Sequence, residues 1–419
     1  MEFREITKNA FDNYAINHPL GSFQQTSFWG RFMEGDKFHA YYVGAFIKEE
    51  IVAASLLLSY ESKNVKGRLF YAPRGFLIDY KNETLLKKFT DCVKEFIKVK
   101  RGIYLKIDPY ILLRDRDKDG NIIEGGVYND FVEINLRNAS FTKVDDDIQP
   151  KWLSRINLKN TSLTDISSNF SNKARQIIRR NERLGFKIRK VGFSEIEKLL
   201  EIINKEKTKY KTIMPTRTFF EDLHSCFTDK YLQLIEVYFN KNEVISNINK
   251  MIQELLIKKE ERINNYHHSL MKEESFIEKE FAMQEEIKRL EQEKDYFASC
   301  REENSMGIYL FITLGNEVLA LYGGIFDQYA KLDASYTMHY EMIKYALLNK
   351  YKYYNLYEIG DITDTNNKLE NSFNYKKNFG GEVVELVGEY DLAVDDDKAS
   401  MTIGRKHFPE YLGVKTIFK

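Results

Sequence analysis

Three groups of residues in this chain have types and spacing suited to chemistry. The first is the lysine pair Lys376–Lys377 in NSFNYKKNFGG, just after Phe373 and Tyr375. An ammonium held among aromatic rings is partly desolvated and fixed in place, and a lysine so held at a helix end can help build an acyl-transfer cleft. The second is Asp108 in YLKIDPY, where Pro109 ends a strand pattern and leaves the carboxylate at its tip. The third is the run SNKARQIIRRNERLGFKIRK, Ser171–Lys190, with eight basic residues against the single acid Glu182. So one-sided an excess suits a polyanion, an RNA backbone or a nucleotide diphosphate. Plainer readings stand beside all three: a surface lysine, a turn-forming aspartate, and a solvated helix face.

The elements that must hold these groups follow from periodicity. Lys376 closes a stretch that begins with the apolar run Val318–Phe326, read as a buried strand. Met338, Met342, Tyr345 and Ala346 then recur at helical spacing, and Tyr353–Tyr357 reads as a short aromatic strand. A polar loop and a second helix ending at the lysines complete it. Gly307–Leu314 and Val318–Phe326 form a hairpin through Gly315–Asn316. Toward the N-terminus, helices at about 7–17 and 25–34 precede strands at about 38–47, 50–60 and 68–74. A helix near 82–99 and the strand Ile103–Ile107 lead to Asp108, followed by the loop string RDRDKDGNIIEGG. In the basic run, Ser171 is the N-cap and Gly185 the stop. Ala174, Ile177, Ile178 and Leu184 form the buried stripe, which turns Lys173, Arg175, Arg179, Arg180 and Arg183 outward.

From Thr218 to Met306 there is neither Gly nor Pro, and residues 243–303 are rich in Glu, Lys, Gln and Asn. Ile245, Ile248, Ile252 and Leu255 on one half and Ile277, Phe281, Ile287 and Leu290 on the other give thin apolar seams. Two helices breaking near His267–Ser275 would pair as an antiparallel coiled-coil arm. That arm holds 10 Lys and Arg against 15 Asp and Glu, so it carries −5 and the rest of the chain +5. The chain's balance of 63 basic and 63 acidic residues therefore hides a basic body.

At 419 residues, 43% hydrophobic, two or three α/β domains are expected. The cysteines, Cys92, Cys226 and Cys300, are far apart and without C-x-x-C, which fits a reducing compartment. H-E-x-x-H, G-x-S-x-G and P-loop strings are absent, so no metal, covalent nucleophile or cofactor is expected. No apolar run approaches the roughly 20 residues of a membrane span. A soluble, cytoplasmic protein follows. Its basic, aromatic C-terminus RKHFPEYLGVKTIFK could touch the inner membrane face or pack on the body.

In order, the strings FQQTSFW, FYAPRGFLIDY, YLKIDPY, IQPKW, SNKARQIIRRNERLGFKI, LYGG, YEMIKYA and YKKNFGGEVVELVGEY resemble the Fem family of peptidoglycan aminoacyltransferases. The resemblance covers nearly the whole chain. It implies an α/β (α+β) fold of two domains, each like a GNAT-type N-acyltransferase, with the coiled-coil arm inserted in the second. Residues 1–149, completed by about 380–419, would form the first, and 150–242 plus 304–379 the second, with 243–303 as the arm. It also implies transfer of glycine, alanine or serine from aminoacyl-tRNA to the stem-peptide amine of a peptidoglycan precursor, lipid-linked or UDP-linked. Lys376 matches the family lysine of an F-K-K-type motif, with Tyr375 here in place of Phe. Asp108 resembles the aspartate near the acceptor amine. Arg31 and Arg217 resemble basic residues that grip the precursor's phosphate or uronyl region, though Phe219–Phe220 follows Arg217 more closely than in the family. Tyr322 in LYGG matches a tyrosine lining the cleft, or is a core strand residue.

Two other function classes compete. A GNAT-like enzyme using acyl-CoA would carry an R/Q-x-x-G-x-G/A loop, and no such string occurs. A non-catalytic interaction protein would use the arm, which could also serve as a dimerisation surface.

Overall fold

The computed structural model describes residues 1–35, 38–61, 67–145, 148–210, 215–267 and 273–394. The C-terminal segment read above as a membrane contact or packed tail lies outside them. From the N-terminus the strands are β1 (Glu2–Glu5), β2 (Phe38–Ile47), β3 (Glu50–Glu61), β4 (Arg68–Ala72) and β5 (Gly102–Ile107). Then come β6 (Leu112–Arg114), β7 (Thr142–Val144), β8 (Trp152–Asn157), β9 (Lys187–Val191) and β10 (Leu232–Asn240). The last are β11 (Glu303–Leu314), β12 (Glu317–Ile325), β13 (Tyr353–Glu358), β14 (Glu382–Leu386) and β15 (Glu389–Ala393).

They build two mixed sheets, one in the order β1-β2-β3-β4-β5-β15-β7 and one in the order β6-β14-β8-β13-β12-β11-β10-β9. Each has a single parallel pair among the described strands, β4 with β5 and β12 with β13. The chain crosses between sheets twice. β6, which includes the Arg114 read above as loop, pairs with β14 in the second sheet. β15, near the end of the chain, enters the first sheet between β5 and β7. One apolar core runs from Leu58 and Tyr71 of the first sheet, with the helix residues Phe11, Trp29 and Phe227, to Leu310 and Tyr354 of the second. A separate core lies on the other face of the first sheet, where Phe89, Val93 and Ile97 of the Glu83–Val99 helix meet Phe70, Leu105 and Tyr390.

The paired helices Lys241–His267 and Glu273–Ser299 are inserted in a hairpin, since Asn240 and Glu303 face each other where β10 and β11 end. Their seam follows the expected one in part: Ile248 and Leu290 are buried, and Ile245, Ile252 and Leu255 pack half-buried against the core. Val244, Met251, Met283 and Phe297 are buried as well, while Ile277 and Phe281 are exposed. The cause is at the base: Phe297 packs on Phe239 of β10, ring centroids 5.1 Å apart. That contact sets the rotation of the returning helix. Met283 and Leu290 lie at seven-residue intervals before it and share its face, so Ile277 and Phe281 turn outward.

The basic helix spans Asn172–Leu184 with the expected ends. Ser171 Oγ accepts from the Ala174 N–H at 3.1 Å, and Gly185 is left-handed at φ 90°. A Cβ at residue 185 would stand 2.8 Å from Asn247 Nδ2, and the left-handed region costs an L-residue about 1–2 kcal/mol. Gly185→Ala is therefore expected to lower stability by about that amount, measured by urea unfolding. A variant as stable as wild type would show that the helix does not depend on this stop.

Candidate functional site

The site forms where the two parallel pairs end. β12 and β13 pair only from Glu317 with Tyr353 to Leu319 with Asn355. Beyond that they diverge, each with a one-residue register break, at Leu321 in β12 and Leu356 in β13. A bulge re-aims the next side chain. Here the two breaks deliver Tyr322 and Tyr357 to the two sides of the split, close enough that the Tyr357 phenol disfavours ionisation of Tyr322. Tyr357 has φ 68°, a strained conformation for an aromatic residue, of the kind found at functional sites. Its hydroxyl is buried and makes no hydrogen bond among the described residues. Tyr322 is buried under Phe220 and Phe219, at 5.3 and 6.4 Å between ring centroids. The LYGG glycines follow: a Cβ on Gly323 would stand 2.3 Å from the Tyr309 ring.

Lys376 is the last residue of the Glu370–Lys376 helix. Its side chain is half-buried, with the amine end inside, where it donates to the Glu358 carbonyl at 2.7 Å. The lysine thus grips the residue after Tyr357. Desolvation pushes its ammonium down to about 8, with the Glu358 carboxylate opposing the shift. It keeps its charge at pH 7. Tyr375 supports this placement from below, packing on Tyr336, His339 and Phe379 at 5.3–5.9 Å. His339 is pushed down to about 3 by burial and by Lys376, so it is a neutral partner for Tyr354, 2.7 Å away.

On the first sheet, Asp108 follows β5 and Arg74 follows β4, both buried. Asp108 accepts from the Arg74 N–H at 2.8 Å and Tyr71 Oη at 3.0 Å, and its second oxygen lies 3.3 Å from Arg74 Nη1. Burial raises its pKa, with Arg74 as the main opposing influence. Arg74 also donates to the Pro150 carbonyl at 3.0 Å, just before β8. Its charge opposes the rise of the Tyr357 phenol. The guanidinium is therefore paired with Asp108 on one sheet and close enough to Tyr357 on the other to influence its phenol. Arg74 lay unremarked in FYAPRGFLIDY, and Tyr357 read as one more strand aromatic. The adjacent Pro73 and the aromatic run were the available signals. Beneath the split, Glu317 accepts from Tyr110 Oη at 3.1 Å and Asn355 Nδ2 at 3.0 Å, closing the floor.

The other expected residues are not gathered at this point. Arg31 donates to the Cys226 carbonyl at 2.8 Å, tying the Ser27–Glu34 helix to the Arg217–Tyr231 helix. Arg217 is bound by Glu197 and Glu221 at the far end of that second helix. Nine residues of helix separate the two anchor points, roughly 13 Å, too far for one phosphate to bridge. Of the basic set, Arg175 folds back on the Ser168 and Phe170 carbonyls at 2.7 and 2.6 Å. Arg180 pairs with Glu293 at 2.8 Å and Arg183 with Glu254 at 2.9 Å, both on the inserted helices. Their anion is this chain's own acidic helix pair. Lys173 and Arg179 are exposed and make no ion pair among the described residues.

A model of the FemAB family matches residues 6–402. The chain belongs to the FemAB family. It is 24% identical over 396 residues to "Aminoacyltransferase FemB" of Staphylococcus epidermidis, covering 93% of this chain and 94% of that protein. It is also 24% identical over 413 residues to "Aminoacyltransferase FemA" of Staphylococcus aureus, with the same shares covered. The crystal structure of FemX superposes with a TM-score of 0.78 at 19% identity, over 96% of this chain and 99% of that one. This FemAB fold therefore carries the buried Arg74–Asp108 pair at the heart of its two-sheet junction. Removing one partner of a buried pair strands the other charge, at about 3–5 kcal/mol. Arg74→Met is expected to destabilise by that much in chemical unfolding. Adding Asp108→Leu should restore a large part of the loss. A single variant of near wild-type stability would dismiss the pair as the junction's anchor.

Proposed function

We propose that this FemAB chain is an aminoacyltransferase. It moves glycine, alanine or serine from the 3′ ester of an aminoacyl-tRNA to the stem-peptide amine of a peptidoglycan precursor, lipid-linked or UDP-linked. The reading treats residues 1–149 with the β15 region, and 150–242 with 304–379, as two GNAT-like domains, and the inserted helices as a coiled-coil arm. The observation that carries it is the desolvated Lys376 ammonium fixed at the β12–β13 split. An aminoacyl ester arrives activated. What it needs is an amine aligned on its carbonyl carbon and a donor for the oxyanion that forms.

Each group then has a task. Lys376 donates to the oxyanion. Tyr357, a neutral phenol at physiological pH, offers a second donor beside it. Asp108, fixed by Arg74 and Tyr71, orients the acceptor ammonium from the first sheet. Tyr322 walls the cleft, and Tyr375 holds the lysine's helix. Arg31, reaching the Arg217–Tyr231 helix at Cys226, and Arg217, at that helix's start, contact separate parts of the precursor. Lys173 and Arg179 present the tRNA-facing charge.

Lys376→Met should lower single-turnover transfer from charged tRNA by about 10²-fold or more, the scale of one lost oxyanion donor. Charged-tRNA binding should be unchanged. In wild type the rate should decline above about pH 8, as the Lys376 ammonium loses its proton. Transfer at the wild-type rate by the methionine variant would remove Lys376 from the chemistry. Reversing Lys173 and Arg179 to Glu should weaken tRNA binding and flatten its log–log salt dependence by about 1–2 in slope. An unaltered slope between about 50 and 200 mM salt would leave the helix as a mount for the acidic pair only.

A further inference from the structure

The reaction releases a proton that the groups assigned so far do not hold. Asp108 is committed to Arg74 and Tyr71, and Lys376 is already protonated. Next to Asp108 lies a cavity of about 20 Å³, room for one water, whose lining includes Arg74, Asp108, Gln149, Lys151 and Glu389. Glu389 opens β15, the strand that returns to the first sheet from the far end of the chain. One of its oxygens accepts from the Ile148 and Gln149 N–H groups at 2.6 and 3.2 Å. The other is buried and makes no hydrogen bond among the described residues.

We propose that Glu389 takes the proton of the acceptor ammonium across this water-sized cavity, which it shares with Asp108. The inference rests on the transferase reading above and supplies its proton acceptor. The acceptor R–NH3⁺, oriented by Asp108, gives one proton through the cavity water to the Glu389 carboxylate. The freed lone pair forms the C–N bond at the ester carbonyl carbon. As the tetrahedral adduct collapses, the carbon–oxygen bond to the tRNA 3′ oxygen breaks. A second proton from the nitrogen reaches that oxygen, and tRNA leaves as the free alcohol. Glu389–COOH returns its proton to solvent, so one proton is released per amide formed.

The surrounding charges leave Glu389 able to do this. From β5, Lys106 stands 3.9 Å from its free oxygen but only 2.5 Å from Asp391 on β15. Past β4, Arg74 is held by Asp108, and the Tyr71 phenol on β4 is kept protonated by burial. Asp145 and Lys151, flanking the crossing to β8, line the cavity with opposite signs. Each buried cation thus has a closer carboxylate than Glu389. Burial pushes Glu389 up to about 7, with Lys106 and the two backbone N–H groups opposing and Asp108 adding to the rise. Below that pH it already carries a proton and cannot accept one; above it the carboxylate is available.

The test uses the full chain, charged tRNA and two lysine-type stem peptides, one with its natural amine and one with an aminooxy group. The aminooxy group is neutral at pH 7 and needs no prior proton removal. Glu389→Gln keeps the backbone contacts and should lower transfer to the amine by about 10²-fold at pH 7. It should also erase the wild-type acid limb that breaks near pH 7, and leave aminooxy transfer within a few-fold of wild type. In unmodified protein, isotope-edited infrared should show a buried carboxyl band disappearing as pH rises through about 7. Equal losses with both acceptors, or no loss with either, would overturn the assignment to Glu389. So would the absence of any carboxyl titrating between about pH 6 and 8. Failure of wild type to transfer to either acceptor would instead sink the transferase reading, and this inference with it.

Discussion

A guanidinium that cannot leave its aspartate organises this molecule. Arg74 and Asp108 lie at the carboxyl ends of the first sheet's parallel pair, both buried. Breaking them apart in that setting would strand a charge. Arg74 spends its remaining donors across the boundary, on the Pro150 carbonyl that precedes β8 of the second sheet. The sheets are also laced by β6 and β15, each lent to the other's sheet. Their relative placement is therefore set by a buried ion pair and by backbone ladders. A site assembled from both sheets needs that rigidity.

The second sheet contributes by failing to stay flat. Were β12 and β13 to remain paired past Asn355, hydrogen bonds would fill the space where Tyr322 and Tyr357 now face each other. The register breaks and the left-handed Tyr357 backbone open that space. The Lys376 amine on the Glu358 carbonyl fixes the diverging strand where its partner ladder has ended. The local strain at Tyr357 is offset by the shared apolar core below and by pairing with Ser154 of β8.

Much of the fold was legible because helices and long strands announce themselves by period. The Asn172–Leu184 helix has both expected caps, and the β11–β12 hairpin turns at Gly315. What stayed hidden is long-range. A three-residue strand such as Leu112–Arg114 has no period, and nothing local says that its partner lies some 270 residues on, at Glu385 and Leu386. The basic run shows the same limit. Eight basic residues between Ser171 and Lys190 read as a polyanion site, yet Arg180 and Arg183 are answered by Glu293 and Glu254. The expected seam fails on the returning helix, at Ile277 and Phe281, where the rotation is set by Phe297 at the base rather than by sparse apolar residues. Lys376 and Asp108 were visible by motif; the arginine paired with Asp108 was not.

The electrostatics of the site make sense only when its two sides are taken together. Burial moves Lys376 down and Glu389 up, because low dielectric disfavours whichever form carries charge. The two shifts bring an acid and a base toward the same pH from opposite directions, the pattern that lets one site donate and accept near neutrality. Were the two groups in contact they would form an ion pair, and each would be driven back toward its charged form. The structure partners them separately: Glu389 has Lys106 at 3.9 Å, and the Lys376 amine donates to the Glu358 carbonyl. Under the transferase reading, those separate partners are what leave the proposed proton acceptor and the proposed oxyanion donor chemically distinct.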